Sequence, residues 1–169
     1  INDCKYGYDA VEQMVRLTLV RGPSYPSPDA DRGEHRLRYS LMIHAGLSDL
    51  AEVHRAAERF NNPLSVVGTP RADAGPAKTL SRFGLVSIDA RSTTIETVKK
   101  AESSDAIVLR IFEHANRRDR ARLTFSRPVR TARKADLMEE RLQEPLALEE
   151  NSLILSLRPF EIVTLLVEF

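Results

Sequence analysis

Apolar and polar residues alternate along several short stretches of this chain, with the repeat of two that puts every second side chain on the same face of an extended strand. The clearest run is 35–44, where Leu37, Tyr39, Leu41 and Ile43 share one face and Arg36, Arg38 and Ser40 take the other. The same reasoning turns Val15, Leu17 and Leu19 inward in a strand over 14–20. It also turns Ala121, Leu123 and Phe125 inward over 120–125, opposite Arg120, Arg122 and Thr124. Segment 105–113 differs: Ile107, Leu109 and Ile111 lie on one face, Val108 and Phe112 on the other. Such a strand is expected at the centre of a sheet covered on both sides, where Arg110 needs a partner. Further strands are predicted over 84–90, 94–99, 129–137, 153–157 and 160–167, with turn-prone groups at 149–152 and 158–159.

One stretch has a different period. Leu50, Val53, Ala57 and Phe60 recur at helical spacing, Asp49 and Glu52 resemble a capping box, and Asn61, Asn62 and Pro63 supply a stop. The Pro-rich segment 21–33 and the aperiodic segment 68–78 read as loops. Many strands, short links and one helix predict an all-β fold, an antiparallel β-sandwich with one short helix. At 169 residues the expectation is a single domain over 1–169.

Composition narrows the function classes. The 25 Lys and Arg are balanced by 24 Asp and Glu, so the net charge of +1 offers nucleic acid and acidic membranes no general attraction. The single cysteine, Cys4, excludes an intrachain disulfide and points to a reducing compartment, the cytoplasm. The sequence has neither a long apolar span nor a signal-like start, so no membrane partner is expected. Its first residue is Ile1 rather than Met, as in a domain excised from a longer polypeptide.

No catalytic constellation emerges. His35, His44, His54 and His114 are scattered without metal-ligand spacing, and Cys4 lacks a neighbouring base. Neither a phosphate-binding glycine loop, nor a nucleophile elbow, nor a Cys-x-x-Cys pair is found, so catalytic and metal residues are expected to be none. Eight basic residues between Arg117 and Lys134 raise nucleic-acid binding, but without the aromatics that stack on bases they read as a solvated, ion-paired face. The richest polar cluster is loop 24–35. Its Asp31, Arg32, Glu34 and His35 carry paired acceptors and donors suited to vicinal sugar hydroxyls, although a salt-bridged turn explains the same residues equally well.

Several segments, in order, resemble the carboxy-terminal region of glycoside hydrolase family 38 α-mannosidases, particularly the cytosolic and bacterial branch. They include Asn2-Asp3-Cys4-Lys5-Tyr6-Gly7, Leu17-Thr18-Leu19-Val20-Arg21-Gly22-Pro23, Asp31-Arg32-Gly33-Glu34-His35 with Tyr39 and His44-Ala45-Gly46, and Asn61-Asn62-Pro63-Leu64. Four more follow: 96–102, Val108-Leu109-Arg110-Ile111-Phe112-Glu113, Asp136-Leu137-Met138-Glu139 and Leu157-Arg158-Pro159-Phe160-Glu161. The chain departs from the family pattern at Ile43, where proline is expected, and at 115–119, where a glycine-containing turn is usual.

The resemblance implies a retaining, zinc-dependent exo-glycosidase that cleaves terminal α-mannose. Its zinc and aspartate nucleophile would belong to a catalytic domain absent from this chain, which itself would need no cofactor and be inactive alone. This single carboxy-terminal β-sandwich would pack against the catalytic domain of the same polypeptide. Asp31, Arg32, Glu34 and His35 would reach the rim of a site that takes mannose-containing oligosaccharide. An isolated domain with its packing face uncovered is expected to self-associate as a homo-oligomer. The alternative is a stand-alone carbohydrate-binding β-sandwich module, which the 6% aromatic content and lack of Trp disfavour.

Overall fold

The computed structural model describes residues 1, 6–43, 50–67 and 83–169. Contacts gather in two compact units, Ile1–Gly68 and Thr69–Phe169.

In the first unit, β1 (Tyr8–Val11) and β2 (Met14–Leu17) form an antiparallel hairpin in which Tyr8 pairs with Leu17 and Val11 with Met14. Glu12 turns the chain in a left-handed conformation (φ 55°), and Thr18 N–H donates to the Gly7 carbonyl at 3.1 Å to close the open end. The expected helix is present as α1 (Leu50–Asn61), with Glu52 in its first turn and Arg59 in its last, each placed favourably on the helix dipole. Ala51 is fully buried, and Asn62 N–H donates to the Glu58 carbonyl at 2.8 Å just before Pro63 stops the helix. The capping residue Asp49, together with Cys4, His44 and loop 68–78, lies outside the described residues.

Two expectations for this unit are corrected. Segment 35–43 is not a regular strand: it contains one bridging residue, Tyr39, and Leu41 and Ile43 are 84% and 89% exposed. Alternation fixes which side chains would share a face, but a strand forms only where a neighbouring backbone answers its N–H and C=O groups. Among the described residues that answer comes from Ile1, which pairs with Ser40. Likewise Val15 and Leu19 are exposed rather than inward and only Leu17 is half-buried, because both faces of a two-stranded hairpin stay wet unless another layer covers one.

The second unit contains the sandwich. Its strands are β3 (Val86–Asp89), β4 (Thr93–Lys100), β5 (Ile107–Glu113), β6 (Asp119–Phe125), β7 (Thr131–Ala135), β8 (Leu142–Pro145), β9 (Ser152–Leu157) and β10 (Ile162–Glu168). All pairings are antiparallel, in a five-stranded sheet ordered β4-β5-β10-β7-β8 and a three-stranded sheet ordered β3-β6-β9. Alternate residues of the two sheets interleave in one core: Leu109 and Ile111, Val163, Leu165 and Val167 from the larger, Ala121, Leu123 and Phe125, Leu153 and Leu155 from the smaller. The inward triplet predicted on β6 is buried as expected.

β5 and β10 are buried on both faces. Val108 and Leu166 form a second small cluster with Ala101 and Ala106 on the far side of the large sheet. Sequence reading missed β8, whose four residues are all exposed and which ends in Pro145, tolerated because this is an edge strand. It also missed β1, which is exposed throughout.

Candidate functional site

Loop 24–35 is short of regular structure because its prolines withhold backbone donors, and local polar contacts shape it instead. The Tyr25–Pro26 peptide is cis, Ala30 N–H donates to the Ser27 carbonyl (3.3 Å), and Arg32 N–H donates to the Asp29 carbonyl (3.2 Å). Gly33 then takes a φ of 146° that a side chain would resist. Arg32 pairs with Asp29 at 2.8 Å, Glu34 with Arg36 at 2.7 Å, and His35 Nε2 donates to the Asp31 carbonyl at 2.8 Å. The four predicted rim residues are thus neighbours, but most of their polar groups are used within the loop, on exposed pairs that contribute little stability. Asp31 is the exception. Its Oδ2 is shut off from solvent and has no hydrogen-bond partner among the described residues, a state that costs energy.

The second unit holds carboxylates that sequence reading quoted only within longer motifs. Glu113, at the end of β5, is 1% exposed; its Oε1 accepts from Ala115 N–H (2.8 Å) and its Oε2 from Phe160 N–H (2.9 Å). Burial pushes its pKa up, but the Phe160, Ala115 and Arg117 N–H groups and the Ser92 hydroxyl outweigh that and hold it below the usual range. Phe160 itself sits at φ 56° in the β9–β10 turn, so Glu113 fastens two turns at one end of the sandwich.

Asp119 does the same for the start of β4. Its Oδ2 accepts from Ser92 N–H (2.7 Å) and the Thr93 hydroxyl (2.8 Å), while Oδ1 accepts from Arg120 N–H (2.9 Å). Burial again opposes ionisation, and these donors overcome it to lower the pKa. Glu161 closes the β9–β10 turn by accepting Arg158 N–H at 2.8 Å, the main cause of its lowered pKa.

Glu139 lies against the far face of the large sheet, at φ 65°, with a side chain only 4% exposed. Glu102 N–H (3.1 Å) and the Lys99 ammonium (3.0 Å), with the Arg110 guanidinium at 3.5 Å, keep its carboxyl below the ordinary range. Arg110, which also donates to the Leu137 carbonyl at 3.2 Å, thereby has the partner its place in an apolar strand required. Beside Glu139 opens a cavity of about 610 Å³ whose mixed lining includes Glu102, Glu140, Glu168 and Arg133 as well as Met138 and Leu166.

A legible signal for these groups was an acid placed directly after an apolar run, as in Ile111-Phe112-Glu113, or inside a turn, as in Pro159-Phe160-Glu161. Each is held by turn backbone or a neighbouring cation, so these carboxylates fasten loops. The basic stretch is partly ion-paired, Arg122 with Glu149 and Arg130 with Glu168, both at 3.0 Å, and Phe125 is buried. Among the described residues no three His, Cys, Asp or Glu side chains gather to hold a metal ion, and no helix is long and apolar enough to cross a membrane.

The geometry defines an antiparallel β-sandwich whose buried charges serve its turns. Residues 92–165, from the start of β4 into β10, match the glycosyl hydrolases family 38 C-terminal beta sandwich domain. The chain is 36% identical over 173 aligned positions to alpha-mannosidase 2C1 of Homo sapiens, covering 99% of this chain and 16% of that protein. Alpha-mannosidase G of Dictyostelium discoideum is 29% identical over 167 positions (97% and 15%), and alpha-mannosidase of Saccharomyces cerevisiae 26% over 191 (100% and 17%). The chain therefore spans about one-sixth of the length of the curated relatives it matches.

Proposed function

We propose that this chain is the carboxy-terminal β-domain of an α-mannosidase that removes terminal α-mannose with retention, and that its role is to support a catalytic domain carried elsewhere in the same polypeptide. The observation that carries this reading is the end-to-end match of the chain to one-sixth of an α-mannosidase. The saturated carboxylates of the sandwich agree with a supporting role. In this reading the zinc is held by the catalytic domain elsewhere in the polypeptide. A cytoplasmic location accords with a single cysteine.

Within this reading, loop 24–35 touches the edge of the sugar site. Asp31 Oδ2, buried without a donor, is where a sugar hydroxyl or a catalytic-domain N–H would bond, and Arg32, with Glu34 and His35 beside it, faces the mannose-containing oligosaccharide. The experiment compares hydrolysis of an aryl α-mannoside by this chain and by its full-length parent, both supplied with zinc. Activity confined to the parent is expected, whereas turnover by the chain alone overturns the supporting role. In the parent, Arg32→Ala should lower kcat/KM about tenfold, the loss of roughly one charge-assisted hydrogen bond. An unchanged kcat/KM removes the loop from the rim.

A further inference from the structure

Ile1 and Ser40 exchange a pair of hydrogen bonds. Ser40 N–H donates to the Ile1 carbonyl at 2.8 Å, and the Ile1 nitrogen donates to the Ser40 carbonyl at 3.1 Å. Two residues that trade both bonds are the hydrogen-bonded pair of an antiparallel ladder. In such a ladder residue numbers on the two strands run in opposite directions, so the residue before Ile1 falls opposite Leu41, the next opposite Met42 and the third opposite Ile43. Those three positions are where the strongest alternating pattern in the sequence fails to become a strand, with Leu41 and Ile43 almost fully in water. A groove of about 370 Å³, lined by Tyr8, Val15, Leu17, Tyr39, Leu41 and Met42 and mostly apolar, runs beside them.

We infer that the stretch of the parent polypeptide entering at Ile1 is the missing strand: it continues the Ile1–Ser40 pairing along Leu41–Ile43 and covers the apolar groove. This rests on the reading of the chain as one part of a longer α-mannosidase, since 16% coverage of the relative leaves ample polypeptide to supply the strand. The register is specific. Met42 exchanges both backbone bonds with the residue two places before Ile1, whereas the Leu41 N–H points away from the new strand. The residues one and three places before Ile1 share a face with Leu41 and Ile43 and are therefore apolar.

Residue-resolved amide hydrogen exchange on the chain 1–169 and on the full-length parent tests this, with the parent's α-mannoside hydrolysis measured on the same preparation. Met42 N–H should exchange on the order of 100-fold more slowly in the parent, as expected when an open segment joins a ladder. Equal Met42 rates in the two proteins, or protection gained at Leu41 but not Met42, overturn the strand. So does protection already present in the chain alone together with a dimer mass, which would assign the groove to a second copy. A protected Met42 in a parent that hydrolyses no α-mannoside sustains the strand and sinks the functional reading; an active parent with Met42 unprotected does the reverse.

Discussion

Replacing Glu113 by glutamine changes almost nothing in shape and much in energy. Its two carboxylate oxygens accept from Ala115 and Phe160 N–H at 2.8 and 2.9 Å in a site that is 1% exposed. An amide supplies one oxygen and one NH2, so whichever way it turns, a donor faces a backbone donor. The loss is one charge-assisted bond plus one buried unsatisfied group, partly offset by no longer burying a charge, and comes to about 3 kcal/mol. For a unit of roughly a hundred residues this lowers Tm on the order of 15 °C. Urea unfolding of the chain followed by far-UV circular dichroism measures it, with Glu144→Gln on the exposed edge strand β8 as a control. Glu144→Gln should shift stability by less than about 0.5 kcal/mol. If Glu113→Gln unfolds with the control, the view of Glu113 as the fastening between the two turns is refuted.

Acid should destabilise the sandwich through the same groups. Glu113, Asp119, Glu139 and Glu161 all have folded pKa values below their ordinary 4.5 or 3.8, so the unfolded chain binds protons first as pH falls. Their contribution is complete above the ordinary values and is lost as pH falls through the lower folded ones; urea midpoints should hold from neutrality to about pH 5 and then drop, less steeply in Glu113→Gln. Leu123→Ala, at a fully buried core position on β6, should cost about 3 kcal/mol in the same assay. Glu139→Gln should cost about 2 kcal/mol because Lys99 and Arg110 lose their shared anion and the amide NH2 must face either those cations or the Glu102 N–H. Adding Arg110→Leu should return part of that loss in a double-mutant cycle, while strict additivity would show that the two side chains are not coupled.

What could be read in the sequence followed from where each strand finds its partners. Leu109 and Ile111 on one face of β5 with Val108 on the other announced a central strand, and β6 showed its inward triplet, because both strands have neighbours within this chain. Segment 35–43 carries a pattern just as regular, yet among the described residues its backbone partner is Ile1. β8 was illegible for the opposite reason: backbone bonds to β7 hold a segment whose side chains have no apolar repeat. Asp31, Arg32, Glu34 and His35 were found as a polar cluster, but sequence cannot tell that Asp31 alone keeps an oxygen buried without a donor. Glu113 and Glu139 escaped individual notice because their donors are backbone N–H groups and distant cations, which leave no spacing to read.

The position of β10 has a consequence for how the protein is made. It is the last of the ten strands among the described residues and the middle one of its five-stranded sheet, between β5 and β7. A ribosome therefore delivers β4 and β5 on one side and β7 and β8 on the other before the strand that joins them exists, with the backbone edge of β5 that faces β10 unpaired meanwhile. Half of the sheet cannot template the other half, so the unit closes in a single late step after Ile162–Glu168 has emerged. Until then a nascent chain is a natural client for chaperones that shield apolar strands.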